Sequence, residues 1–304
     1  MDGFPSPSSS RLASALREGR FAVTCDLHPP RGSDLEPFDS EAALLLDWTD
    51  ALFVTEAPGA RPRMSSLAAC IHLRHALGVE PVLQVVCIRS NRLALQGELL
   101  GAAALGIVNL LILGGDPAAL GSCPQAEDVR CLDSIACIAM ARDMRDEGRL
   151  VDGSPLRGNA PFLIGAAVDP QAGPDEMERL RKKLEAGADF LVTQPVCDVA
   201  AFASWWEEAR HLLGGRPLLA GVLVLGNPRT ARKLADSLPG VRIPESVLER
   251  LASSARPAAE GASMAADAAR ALRELPGLGG VHFMNACGAE NVVAAIRKSG
   301  LRKA

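Results

Sequence analysis

The chain has 304 residues, 48% of them hydrophobic, and its 32 basic against 36 acidic residues give a formal charge of −4, which suits one large core better than two small ones. The acidic residues are spread through amphipathic stretches, which argues against nucleic acid or an anionic membrane as partners, and the longest apolar stretches, such as 107–113, fall far short of the roughly 20 residues that span a bilayer. Eight cysteines are scattered without a CxxC pair, so neither a disulfide framework nor a cysteine-rich zinc site is expected, and no metal is assigned.

Residues 1–10 are rich in Pro and Ser and lack the basic and apolar regions of a secretory signal; they read as a loose arm before a short helix at 11–18, in a cytoplasmic protein. Eight short apolar runs follow, at 21–25, 51–55, 81–87, 108–113, 161–166, 189–194, 218–224 and 279–284, each ending in polar or glycine residues. They are rich in Val, Ile and Leu without strict alternation, as expected of parallel strands covered on both faces. Between and after them lie helical patterns at 39–46, 64–77, 91–104, 126–147, 173–186, 198–213, 228–236 and 289–299.

In the pattern at 173–186, Met177, Leu180 and Leu184 form an inward stripe beside a solvated charged face, with Pro174 at its start and Gly187 just past its end. Two insertions interrupt the scheme, 117–128 and 241–278, the second holding extra helices near 245–254 and 259–274. Residues 149–160 are Gly/Pro-rich but too short to separate domains. Eight strand–helix units predict an α/β fold, a single-domain (β/α)8 TIM barrel over 20–304 preceded by the arm and short helix at 1–19, with a helical insertion before the last strand. Such a barrel carries its chemistry at the C-terminal strand ends.

At the end of strand one, Asp26 leaves the strand at the barrel mouth, and Pro29 and Pro30 stiffen the loop behind it, the mounting expected of a general acid; a loop-capping role is the alternative. His28 is the weaker candidate. Strand four ends in Gly114, Gly115 and Asp116, where glycines admit a flat or phosphorylated ligand and the carboxylate accepts from ring N–H groups, or where a tight turn simply carries a capping Asp. Strand six ends in Thr193 and Gln194, whose amide suits the edge of a heterocycle, while Asp198 reads as the N-cap of the next helix. One of Trp205 and Trp206 faces the core. Arg61 and Arg92 stand beside helix starts, as anion binders or as surface ion pairs. No GxGxxG, Walker loop, HExxH or Ser-His-Asp arrangement is present.

Taken in order, CDLHPP at 25–30, RMSS at 63–66, LGIVNLLILGGD at 105–116, LRKKLEAGADFLVTQPVCD at 180–198, GVLVLGNPR at 221–229, VRIP at 241–244 and GVHFM at 280–284 resemble the methylenetetrahydrofolate reductase family. The resemblance covers roughly 20–300. It implies an FAD-bearing barrel in which NAD(P)H reduces the flavin and the flavin reduces 5,10-methylenetetrahydrofolate to 5-methyltetrahydrofolate. It also implies that Gln194 binds the pterin, that Asp116 lies near both rings and favours a cationic iminium, and that Thr55, Gly114, Gly115, Asp116, Glu176 and Lys183 contact the flavin.

The family usually has Glu where this chain has Asp26, which reaches about 1.5 Å less by ordinary bond geometry. Better-known members have Arg-Gly-Asp where this chain has Gly114, Gly115 and Asp116, and this chain has no Tyr. The Gly-Gly form and the RMS segment look more like reductases of anaerobic one-carbon pathways, which often work with partner subunits in electron-transfer complexes. A homo-oligomer is expected. The alternatives are a reductase that passes hydride from nicotinamide without flavin, a pterin-binding subunit without activity, and an unrelated barrel lyase with phosphate-binding glycines near Gly226 and Gly288.

Overall fold

The computed structural model describes residues 10–237 and 240–302; the first nine residues of the arm lie outside the described residues. Its elements, in chain order, are α1 (Arg11–Arg17), β1 (Ala22–Leu27), α2 (Glu36–Leu46), β2 (Ala51–Val54), α3 (Ser66–Leu77), β3 (Pro81–Val86), α4 (Arg92–Ala104), β4 (Asn109–Leu113) and α5 (Ser134–Arg142). They continue as β5 (Leu163–Val168), α6 (Asp175–Ala186), β6 (Phe190–Pro195), α7 (Val199–Leu212), β7 (Leu218–Val224), α8 (Pro228–Ser237), α9 (Glu245–Ser253), α10 (Pro257–Arg273), β8 (Gly280–Asn285) and α11 (Ala289–Ser299).

The eight strands are parallel, and β8 pairs back onto β1 through Ala22↔Gly280 and Thr24↔His282, so the sheet closes in sequence order as the (β/α)8 reading requires. The period of two along each strand sorts residues to two sides. On β1, Val23, Cys25 and Leu27 join the outer core shared with the helices, while Ala22 packs in the inner cluster with Phe53, Val82, Leu111, Phe190 and Leu219. Gly165 on β5 leaves room for this inner layer, since a Cβ there would lie 2.3 Å from Phe190 Cζ. Leu12, Ala13 and Leu16 of α1 belong to the same inner cluster, so the short N-terminal helix closes the end of the barrel opposite the strand C-termini. Ser10 caps that helix by accepting from Ala13 N–H at 3.0 Å.

The extra helices before β8 are α9 and α10, as expected from the insertion. Two boundaries differ from the sequence reading. β1 continues two residues further than expected, to Leu27, so Asp26 lies inside the strand and not beyond it. Its ladder partners explain the extension: Asp26 and Leu27 stand in register with Phe53 and Val54 of β2. The helix expected at 126–147 begins only at Ser134, capped by Asp133, and ends in a π-turn at 143–147. Residues before it bond elsewhere, Val129 N–H to the Ile88 carbonyl at 2.8 Å and the Asp128 carboxylate to Ala118 N–H at 3.0 Å, so this segment belongs to the loop over β4.

Candidate active site

A cavity of about 1320 Å³ opens where the strands end, larger than the roughly 300–1,000 Å³ of ordinary small-molecule sites. Its lining mixes apolar side chains, such as Val86, Leu111, Val192 and Met284, with Asp26, Asp116 and Gln194. The three polar residues expected at separate strand ends thus face one space.

Asp26 is set into the lumen by strand parity. Its Oδ1 accepts from Gln84 Nε2 at 3.2 Å and lies 3.2 Å from His282 Nε2, while His282 Nδ1 lies 2.9 Å from Thr24 Oγ1. Gln84 and His282 were missed in the sequence reading. A signal for both was present: each is a polar residue in the middle of an apolar strand, which a closed barrel tolerates only where side chains meet partners of their own kind.

Asp116 Oδ2 accepts from Gly59 N–H at 2.8 Å, which ties the loop after β4 to the loop after β2 beside the cavity. Gly115 must be glycine here: its φ is +95°, and a Cβ would come 2.3 Å from Val86 Cγ1. Gly115 lines the cavity; Gly114 does not, and its carbonyl accepts from Ile88 N–H at 3.0 Å. Thr55 lines the cavity at the end of β2, with its hydroxyl 2.9 Å from His28 Nδ1. His28 Nε2 lies 2.7 Å from the Asn285 carbonyl, so Nε2–H donates there, Nδ1 accepts from the Thr55 hydroxyl, and His28 serves as a brace between β1, β2 and β8.

Gln194 owes its position to an irregularity in β6. The register with β7 shifts between Val192 and Pro195, and the Thr193 hydroxyl fills the gap, donating to the Gln194 carbonyl at 2.7 Å and accepting from Gly221 N–H at 2.9 Å. Such a bulge re-aims one side chain, here toward the cavity. Gly240, after α8, covers it closely: a Cβ there would sit 3.3 Å from Gln194 Cγ.

Glu176 and Lys183, expected at the flavin, bond to each other. Neither lines the cavity. Lys183 Nζ donates to the Ala167 carbonyl at 2.7 Å and to Glu176 Oε1 at 3.4 Å, and that oxygen also accepts from Asp169 N–H at 3.1 Å. Burial pushes the ammonium below its ordinary value and Glu176 draws it back up, so the charges are closed on each other behind the lumen. Arg61 lines the cavity and Arg92 does not. Arg63 also lines it, anchored on the Pro29 carbonyl at 2.6 Å; burial lowers its pKa first and repulsion from Arg31 adds to that. Asp198 caps α7, and Trp206 is the core-facing tryptophan, at 1% exposure. Gly288 borders this cavity and Gly226 a smaller depression of about 600 Å³.

The model describing methylenetetrahydrofolate reductase matches residues 11–300. The chain belongs to the methylenetetrahydrofolate reductase family. Curated relatives include a probable NADPH-dependent methylenetetrahydrofolate reductase of Caenorhabditis elegans, 26% identical over 79% of this chain and 36% of that protein. Others are methylenetetrahydrofolate reductase 1 of Schizosaccharomyces pombe, 26% identical over 80% and 39%, and an NADH-dependent methylenetetrahydrofolate reductase of Arabidopsis thaliana, 22% identical over 74% and 39%.

The match thus spans under two fifths of the length of these relatives. Among solved structures, a Clostridium thermocellum protein that binds two copies of 5-methyl-5,6,7,8-tetrahydrofolic acid superposes with a TM-score of 0.66 at 13% identity, over 95% of this chain and 97% of that one. An oxaloacetate acetylhydrolase superposes with a TM-score of 0.52 at 14% identity, over 95% and 83%. These likenesses show the shared fold. Among the described residues no helix is long and apolar enough to cross a membrane, and no cluster of three His, Cys, Asp or Glu is arranged to hold a metal.

Proposed function

We propose that this chain interconverts 5,10-methylenetetrahydrofolate and 5-methyltetrahydrofolate, with electrons from NAD(P)H and with FAD at the barrel mouth. The observation that carries this reading is the convergence of Asp26, Asp116 and Gln194 on one cavity, in a chain of this family. The folate bound by the Clostridium thermocellum neighbour agrees with that substrate class.

The lining fits a flavin ring: an apolar floor that includes Val86, Leu111 and Leu113, with Thr55, Gly115 and Asp116 at its edge to hold it. Bound FAD would supply two-electron hydride chemistry between nicotinamide and folate. The chain's own residues do the rest. Gln194 offers both a donor and an acceptor to the pterin edge. Asp26 acts as general acid, delivering the proton that lets the five-membered ring of the folate open. Asp116 places negative charge beside the cationic iminium that results.

One observation favours a second reading, direct hydride transfer from nicotinamide without flavin: Glu176 and Lys183 are committed to each other and do not present charge to a cofactor phosphate. An absorption spectrum of the purified chain with and without added FAD, run beside an assay of methyltetrahydrofolate oxidation by a dye acceptor, separates the two. A flavin band with turnover is the expected result. Turnover without a flavin band selects the second reading, and no turnover in either form overturns both.

A further inference from the structure

His282 carries no role in the function proposed above, yet it is 2% exposed, sits in the lumen of the barrel and touches the proposed acid. Its neighbours on β8, Val281 and Phe283, point into the outer core, and its ring lies against Phe53, with centroids 4.5 Å apart. A buried imidazole must have both nitrogens satisfied. Here Nδ1 meets the Thr24 hydroxyl at 2.9 Å and Nε2 meets Asp26 Oδ1 at 3.2 Å.

Hydrogen counting selects one arrangement for a neutral ring beside a carboxylate. Nε2–H donates to Oδ1, Nδ1 therefore carries a lone pair, and the Thr24 hydroxyl donates into it at 2.9 Å in preference to its other acceptor, the Val281 carbonyl at 3.4 Å. Gln84 Nε2 donates to the same Oδ1 at 3.2 Å. Both bonds to the Asp26 carboxylate from the described residues thus fall on one oxygen, and Oδ2 is left to the cavity that Asp26 lines. Two N–H donors make Oδ1 the poorer site for a proton, so the acid proton resides on Oδ2.

We infer that His282, held in this tautomer by Thr24, is the positioning residue of Asp26: it fixes which carboxyl oxygen carries the transferred proton and aims that oxygen at the ligand. The inference rests on Asp26 acting as the general acid. In the step it serves, the Oδ2–H bond breaks, an N–H bond forms on the folate ring nitrogen, and the C–N bond of the five-membered ring breaks with its electron pair going to that nitrogen. The folate is left as a cationic iminium and Asp26 as a carboxylate whose charge is shared with the two N–H donors on Oδ1. A short side chain on a rigid strand needs such fixing, because it cannot search for the substrate as a longer one does.

The test uses the full chain in the methyltetrahydrofolate assay, with Thr24→Val, His282→Phe and His282→Gln. Thr24→Val is nearly isosteric and removes only the hydroxyl that sets the tautomer; kcat falls about fivefold with KM unchanged, the worth of one hydrogen bond of about 1 kcal/mol. His282→Phe removes the donor and lowers kcat about tenfold or more, again without a matching rise in KM, whereas His282→Gln returns an N–H to Oδ1 and recovers to within about threefold of the native rate. Native kcat in Thr24→Val and His282→Phe, a loss carried by KM alone, or failure of the glutamine variant to exceed the phenylalanine variant would each overturn the inference. A native chain that itself shows no turnover would instead overturn the reading of Asp26 as an acid.

Discussion

Two buried charge clusters in this barrel have opposite designs. At β5 and β6, Arg145 Nη1 donates to Asp189 Oδ2 at 2.6 Å and to the Phe162 carbonyl at 3.2 Å, its Nε donates to Asp146 at 2.7 Å, and Asp189 Oδ2 also accepts from Ile164 N–H at 2.8 Å. The acid and base are 5% and 6% exposed at the side chain. Burial pushes the Asp189 carboxyl up and Arg145 pulls it back, so the pair is a closed circuit that clamps the segment after α5 onto the barrel. In the lumen, the Asp26 carboxylate likewise accepts two hydrogen bonds on one oxygen, but its partners carry no formal charge of the guanidinium kind and it lines the cavity, which Asp189 does not. A charge whose partners are all internal stabilises the fold, whereas one with a hydrogen-bonding position left toward a ligand space is available for chemistry.

Three substitutions test that distinction. The largest effect is expected from Asp189→Asn, which removes the buried partner of Arg145 and leaves it only the more exposed Asp146: urea unfolding shows a loss of about 3 kcal/mol, while the activity of the molecules that remain folded is unchanged. A variant that lost turnover with native stability would erase the contrast. Asp26→Asn inverts the pattern, lowering kcat for the folate step by about a hundredfold or more and shifting the unfolding midpoint little. Equal loss of NAD(P)H oxidation by a dye, which needs no proton donor to folate, would count against the assignment.

The smallest effect concerns a third, partly buried carboxyl. Burial, reinforced by repulsion from Glu56, pushes Glu98 on α4 up to about 7 from 4.5. The native carboxyl then keeps a proton that the unfolded chain has released, so stability falls as pH rises across that window. Glu98→Gln removes this dependence, and its Tm exceeds that of the native chain by about 2–4 °C at pH 8 with no difference at pH 4. Parallel melting curves of the two chains at all pH values would show that Glu98 ionises freely.

The proposed acid illustrates how much of the site was legible. Asp26 was visible because it follows an apolar run and precedes two prolines, and the length of that run was misjudged only because a strand boundary depends on ladder partners contributed by β2. Its companions were not visible. Gln84 and His282 stand 58 and 256 residues away along the chain, and their placement beside Asp26 depends on the stagger of the closed sheet, which sets the height of each residue in the lumen. The bond between Glu176 and Lys183 was equally hidden, since it depends on the burial of both, where a lysine is more stable bonded to a carboxylate than left unpaired.

By itself the sequence determined the architecture, since eight apolar runs separated by helical periods can bury their two faces in few ways other than a closed parallel barrel with helices outside. It also determined where the candidate residues stand along their strands, since polar groups gather at strand ends where the apolar pattern stops. Only the tertiary structure decided which of them meet and which oxygen of Asp26 is free. Those outcomes follow from strand register and from hydrogen-bond geometry within a few ångströms, and both are properties of the assembled sheet and not of any one segment.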